Sequence, residues 1–387
     1  VITQSNRSTE LYDSKFTVKR ASTAYHNGKL LGVDIPRYDI GYFGNGLKIE
    51  EGTSNYVNNP SFNSGWHGWI NAGGSATVSE ITTVDGRNAY HIISTGANQA
   101  IQQVMNLTAG TVYTMSCYCK VITGQVSLQM NINNNGGTMT YSAGATNLSD
   151  TGTGKWVRVS NTFTAGNTAN TIMIGRTGGG QNGEYYITDV QVEAKSYATS
   201  FTHGLRSQEF VSVPNSTLSP LEGTFEAWVY FGDTLLNGGA PWKRILSTGN
   251  SSATGRYSIH TSGTGINFLI EGVGIGTTVP TTGWHYLACK WKAGEVSMFI
   301  DGVLKATSST ITLPSAFGDT AIFLGSRSDN GDAINSIIDD VRFSSVSRTD
   351  AELQVVPIAP TPIDANTTLK LNFNRPEKNY VNGNLGL

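Results

Sequence analysis

The sequence predicts an all-β chain: two tandem β-sandwiches of jelly-roll form, with an irregular N-terminal segment and a short C-terminal tail. Three observations predict it. Short runs of alternating apolar and polar residues recur along the 387 residues, the period of two that sends successive side chains to opposite faces of a strand. Turn signals separate those runs at Asp85-Gly86, Thr108-Ala109-Gly110, Asn135-Gly136-Gly137, Gly178-Gly179-Gly180 and Asp301-Gly302. Finally, 45 glycines against 11 prolines, with only 14% charged residues, describe many tight turns rather than disorder.

The same composition narrows function. A chain of this length holds two or three domains and two full cores. The apolar fraction of 38% suits sheets that bury one face of each strand. A net charge of −2 gives no electrostatic reason to expect nucleic acid or an anionic membrane as partner. No apolar run approaches the roughly 18 residues of a membrane span, and the first residues lack a signal-peptide core, so no membrane insertion is expected. Cys117 and Cys119 lie two apart on one strand and face the same way, so they do not easily pair with each other, and Cys289 belongs to another domain. Three buried thiols fit folding in a reducing compartment.

Residues 1–54 are too short and too polar to own a core, and are expected to pack along a neighbouring domain or subunit. Asn27-Gly28 reads as a turn between the runs 16–24 and 33–39. The ordered pieces FTVKRASTAY, NGKL, VDIPRYD and GLKIEEGTSNYV resemble a segment that precedes carbohydrate-binding-like domains in structural proteins of tailed bacteriophages. Arg20, Ala21, Ser22, Thr23, Pro36, Arg37, Asp39, Gly46, Leu47, Glu50, Glu51, Thr53 and Asn55 carry the resemblance, with Ser54 inserted before the last of them.

The first sandwich is placed at residues 55–201. It opens with Asn59-Pro60-Ser61-Phe62 and Gly65-Trp66-His67-Gly68-Trp69, and strands are expected at 76–81, 89–94, 100–106, 112–121, 125–133, 155–163, 171–176 and 185–193. In 112–121 the core face is Tyr113, Met115, Cys117, Cys119 and Val121. Strict alternation in the closing strand puts Tyr185, Ile187, Asp189, Gln191 and Glu193 on one face, with Tyr186, Thr188, Val190 and Val192 on the other. The opening NPSF…GW and the closing YITDVQVE resemble jelly-roll carbohydrate-binding modules. The ending VQVEAKSYATSF resembles a closure found in the same phage proteins.

The second sandwich is placed at residues 202–354. Strands are expected at 225–231, 244–248, 257–261, 266–271, 284–291, 295–300, 321–325 and 337–343, with a short helix at 349–353. Four pieces in order, FEAWVYF, GWHYLA, VSMFIDGV and IIDDVRFSSVSRTDAEL, resemble the concanavalin-like laminin-G domains. Residues 355–387 supply VVPIAPTPID, read as an extended linker, then a strand-like run at 368–373 and an Asn/Gly-rich end.

Candidate chemistry follows from residue types. Concanavalin-like folds include glycosidases that place carboxylates as E-x-D-x-x-E on one strand, about 5 to 5.5 Å apart when retaining, and this chain has no such triplet. It also lacks G-x-S-x-G, H-E-x-x-H and P-loop motifs, so no catalytic residues and no required cofactor are expected. Calcium takes hard oxygen ligands, and Asp189 in the first domain and Asp329, Asp332, Asp339 and Asp340 in the second are the candidates for a structural ion. A sugar needs aromatic faces flanked by polar side chains. Trp66, Trp69, Gln129, Asn131, Asn133 and Tyr141 offer these in the first domain, and Trp242 in the second, while Trp228, Trp284 and Trp291 read as core. The resemblances imply a non-enzymatic virion protein of a tailed phage, made in the host cytoplasm and carried in the tail, where it contacts other virion proteins and host cell-surface polysaccharide. A homotrimer is compatible with this. A purely structural decoration or baseplate component and a polysaccharide-degrading spike are the competing readings.

Overall fold

The computed structural model describes residues 17–26, 29–71, 76–94, 100–134, 140–141, 146–149, 154–166, 169–175, 183–232, 242–249, 254–329 and 331–374. The turns expected at Asn27-Gly28, Asn135-Gly136-Gly137 and Gly178-Gly179-Gly180, and the end of the tail, lie outside the described residues. The regular secondary structure is nearly all antiparallel strand, and no helix among the described residues is long and apolar enough to cross a membrane. Two compact units form: Ala24–Leu30 with Thr53–Arg206, and Val1–Thr23 with Leu31–Gly52 and Ser207–Leu387.

The 53–206 unit is built around one strand, Val112–Asn134. Its first part pairs with Val157–Thr164 on one side and with the closing strand Gly183–Glu193 on the other. Its second part pairs with Ala169–Gly175. The two runs expected at 112–121 and 125–133 are therefore one continuous strand of 23 residues. Cys117, Cys119, Tyr113 and Met115 face the core as the alternation predicts, all at 1% exposure or less, and the cysteines are free.

The closing strand departs from the expected alternation. Tyr118 pairs with Thr188 and Ser116 with Gln191, so Cys117 alone stands opposite both Asp189 and Val190. This is a β-bulge. Asp189 sits at φ 51°, in the left-handed region that Asp tolerates better than most residues. The extra residue inverts the pattern beyond it: Tyr185, Ile187, Val190 and Val192 all lie in the core. Gln191 and Glu193 move to the opposite face beside Tyr186 and Thr188.

The chain's own return covers one end of that outer face. The Glu193 carboxylate accepts from Thr53 Oγ1 at 2.8 Å, Thr199 N at 2.8 Å, Thr199 Oγ1 at 2.7 Å and Gln191 Nε2 at 2.6 Å. Gln191 Oε1 accepts from Thr202 N at 2.8 Å. Asn55 ties the entry of the unit to the same strand, accepting from Val192 N at 3.0 Å and donating to Val190 O at 2.9 Å. Buried polar groups with their partners in place cost little to keep. At the other end of the face, Tyr118, Lys120, Tyr186 and His91 are half-buried.

The second unit is a sandwich of a seven-stranded and an eight-stranded sheet. Phe225, Leu287, Met298, Ile259 and Phe268 are among the side chains that fill the space between them. The closing strand Ser336–Ser344 repeats the device of the first unit. Trp228 pairs with Asp339 and Glu226 with Arg342, leaving Asp340 and Val341 opposite Ala227, and Asp340 has φ 52°. Ile338, Val341 and Phe343 reach the core as a result.

Strands Arg37–Ile40 and Asn45–Ile49 extend the eight-stranded sheet, and Thr367–Leu371 pairs with Ser336–Ser344. Residues of the N-terminal motif fix this arrangement. The Glu209 carboxylate accepts from Arg20 Nη1 at 2.5 Å and Arg37 Nε at 2.9 Å, Arg37 also pairs with Glu50 at 2.6 Å, and Glu51 holds Lys243 at 2.5 Å. Residues 355–364 are tied to the face away from the core. Thr361 N donates to Asp340 Oδ2 at 2.9 Å, and Arg348 Nη2 donates to both Asp364 oxygens at 2.9 and 2.7 Å. The helix Asp350–Leu353 starts with a capping box between Thr349 and Glu352.

Of the tryptophans expected in the core, Trp291 and Trp228 are buried there, Trp291 between the two sheets and Trp228 in a second apolar cluster. Trp228 is buried on the opposite face of its sheet, under Tyr42, whose ring stacks on it at 3.4 Å. Trp284 is only half-buried, edge-on to Tyr230. Bulges and covering segments give this sheet a second apolar layer that alternation alone does not reveal.

Candidate carbohydrate-binding face

This half-buried end of the outer face in the 53–206 unit carries the best candidate site. Cross-strand register sets one row across four strands: Lys120 opposite Tyr186, Tyr186 opposite His91, and His91 opposite Glu80. Beside it Tyr118 stands opposite Arg158. Because Cys117, Cys119 and Ile187 face the core, these alternate residues face out. Trp156 precedes strand Val157–Thr164, and the tight turn at Asp85-Gly86 brings Asp85 to the same place.

The rings and charges interlock. His91 stacks on Tyr186 with centroids 4.4 Å apart and planes 15° apart, and its Nε2 is 2.9 Å from Glu184 Oε1. The Arg87 guanidinium lies 5.1 Å from the Tyr118 centroid and 5.7 Å from that of Trp156, and Arg158 lies 5.6 Å from Tyr118. Asp85 accepts from Lys120 Nζ at 2.6 Å and Trp156 Nε1 at 3.1 Å. The Lys120 hydrogen bond holds the Asp85 carboxyl below its ordinary range. Partial burial, together with Glu184, raises the Tyr186 phenol, which keeps it a neutral donor. Tyr118, Trp156, Tyr186 and His91 are all half-buried: fixed by packing, with part of each ring at the surface. Such rings cover the apolar C–H face of a sugar while flanking charges bind its hydroxyls.

None of these residues was singled out by the sequence reading, although one signal was present. Once Cys117 and Cys119 are assigned to the core, Tyr118 and Lys120 must face out. Their meeting with Trp156, Tyr186 and Arg87 required the strand order.

The structure disperses the residues that the sequence did single out. Trp69 is a correction: it is 4% exposed, tilted against Phe62 in the core, with Nε1 donating to Asn59 O at 3.1 Å, so it has no face for a sugar. Trp66 is half-buried and edge-on to Tyr90, centroids 5.2 Å apart. Gln129, Asn131 and Asn133 occupy the other half of the long strand, in register with Gly175, Met173 and Thr171, and Tyr141 pairs with Asn131. They are separated from Tyr118 by the switch of pairing partners along that strand. Trp242, in the other unit, is 40% exposed and stacks on His260 at 4.9 Å, with the Arg244 guanidinium 4.8 Å from its centroid.

The five candidate calcium ligands are each engaged otherwise. Asp189 holds Arg87 at 2.9 Å and Ser61 Oγ at 2.5 Å. Asp329 accepts from Arg327 Nε at 2.9 Å, and Asp332 from Arg244 Nε at 3.1 Å. Asp339 caps the amides of Phe43 at 2.9 Å and Asp340 at 2.7 Å, while Asp340 pairs with Lys370. Among the described residues no three His, Cys, Asp or Glu form a metal-binding group. These acids do not fit a calcium ion, which needs six or more converging oxygens.

Comparison with known proteins places these features. No curated protein matches the chain. Among solved structures, the receptor binding domain of botulinum neurotoxin D is 14% identical with TM-score 0.31, covering 38% of this chain and 40% of that one. The botulinum neurotoxin serotype G binding domain is 13% identical with TM-score 0.30, covering 38% and 39%. A CBM4 structure is 22% identical with TM-score 0.30, covering 36% of this chain and 99% of that one. The chain thus spans about two fifths of the length of the neurotoxin domains it matches. Two family models cover most of the described sandwiches: residues 54–178 match a carbohydrate binding domain, and residues 205–354 match the concanavalin A-like lectin/glucanases superfamily.

Proposed function

We propose that this protein is a non-catalytic glycan-binding protein whose 53–206 unit engages polysaccharide through Tyr118, Trp156, Tyr186 and His91. The observation that carries this reading is the row of fixed, half-buried rings, each bordered by a charged hydrogen-bonding group, of which Tyr118, Trp156 and His91 fall in the segment that matches a carbohydrate binding domain. Packing holds these rings before any ligand arrives, so binding orders few side chains. A place in the tail of a phage virion, facing host cell-surface polysaccharide and neighbouring virion proteins, is the setting we infer. It is supported by the resemblance of residues 16–56 and 185–201 to phage structural proteins. The test is retention of the purified chain on a panel of bacterial cells and cell-wall polysaccharides, repeated with Tyr118→Ala and Trp156→Ala. Saturable retention that both substitutions weaken by tenfold or more, with unchanged melting temperature, supports the reading. Retention on none of the surfaces leaves a structural role, and release of shortened saccharides makes the protein a depolymerase.

A further inference from the structure

We infer that the glycan taken by this face is acidic, and that Arg158 is the residue that selects it. The inference rests on the glycan-binding reading above and adds the charge class of the ligand.

The cations of the face differ in how they are neutralised. Lys120 is paired with Asp85 at 2.6 Å, and Arg87 with Asp189 at 2.9 Å. Arg158 has no carboxylate partner among the described residues. Its one side-chain hydrogen bond there is from Nη2 to the neutral Ser116 Oγ at 2.8 Å, and its Nε is buried with no partner. Around the Tyr118 and Trp156 rings, Arg158 is therefore the cation without a carboxylate partner among the described residues. Glu80 and Glu184 lie at the other end of the row, 3.7 and 2.9 Å from the two nitrogens of His91.

The geometry makes this guanidinium usable. Arg158 stands directly opposite Tyr118 across the ladder, and its guanidinium lies 5.6 Å from the ring centroid. A sugar packed beside the Tyr118 ring therefore places an exocyclic carboxylate near that guanidinium. Arg is suited to the task, because its planar fork binds two oxygens at once and is weakly hydrated. For a neutral sugar the same guanidinium offers one further hydrogen bond and no charge complementarity. The matched ligand is therefore a polymer carrying uronic-acid-type carboxylates. A sulfate or phosphate ester presents the same oxygen geometry, so the experiment separates these sources.

The test measures binding of the full chain to a polyuronate, to the same polymer after reduction of its carboxyl groups, and to neutral, sulfated and phosphate-bearing polysaccharides at low and high salt. The inference expects the polyuronate to bind at least tenfold more tightly than its reduced form, with that preference falling as salt rises. Arg158→Gln should remove about 10- to 100-fold of the affinity for the acidic polymer, the worth of one charged hydrogen bond, and leave any affinity for the reduced polymer unchanged. Arg158→Lys should restore part of the loss. Equal binding of the acidic and reduced polymers overturns the inference and leaves the glycan reading standing. Binding of sulfated or phosphorylated polymers without the polyuronate overturns the carboxylate assignment. Failure to bind any polymer overturns both.

Discussion

The bulge at Asp189 gives the sharpest test of how this fold is specified. The perturbation is a series at one position: Asp189→Asn, Asp189→Gly and Asp189→Ala. The carboxylate receives Ser61 Oγ at 2.5 Å and Arg87 Nη1 at 2.9 Å. Hydrogen bonds to a charged group are worth about 1.5–3 kcal/mol each. The Arg87 pair belongs below that range, because Arg87 is 26% exposed and solvent screens it. Losing the carboxylate should therefore cost about 2–4 kcal/mol. The backbone at φ 51° adds about 1 kcal/mol for Ala, whose Cβ is strained in the left-handed region, and nothing for Gly. Asn keeps the shape, the tolerance of that region and the Ser61 bond, so it should cost about 1–2 kcal/mol. The expected order of stability is Asp, Asn, Gly, Ala. The assay is denaturant-dependent amide exchange read by mass spectrometry over peptides from 112–121 and 185–193, which reports this unit alone. If Ala proves as stable as Gly, the left-handed backbone is not what the position demands and the reasoning fails. Asp340→Ala tests the same device in the other unit, and should cost about 3–5 kcal/mol because it leaves Lys370 buried without its partner.

Three further outcomes follow from burial. His260 is 2% exposed, and burial, then Arg244 and Arg256, depress its imidazole to about 3. The unfolded chain binds a proton that the folded unit refuses, so this contribution is complete above pH 6.5 and is lost as pH falls towards 3. The loss should reach up to about 1.4 kcal/mol per pH unit in chemical denaturation curves, and His260→Gln should flatten the dependence. Trp69→Ala should destabilise the 53–206 unit by about 3–5 kcal/mol in the same exchange experiment, as a large core truncation does. Burial pushes the Cys117 thiol up to about 12 and raises those of Cys119 and Cys289, so a thiol reagent at neutral pH should label all three only at the rate of unfolding. Rapid labelling of the folded chain would contradict their burial.

What the sequence determined by itself is local. Alternation in 112–121 identified Tyr113, Met115, Cys117 and Cys119 as core, and turn signals and ordered motifs located two β-sandwiches, because strand period and turn chemistry are written in neighbouring residues. Alternation also misled where a bulge interrupts it: one left-handed residue, Asp189, shifts every later side chain to the other face. Trp69 reads as an exposed platform until the core closes on it, since aromatic residues serve both roles and only burial separates them. The candidate site was invisible for a different reason. Lys120, Tyr186, His91 and Glu80 come from four strands whose order in the sheet is not their order in the chain. Tertiary structure alone decided that these side chains meet, because strand pairing is a long-range contact that no window of sequence contains.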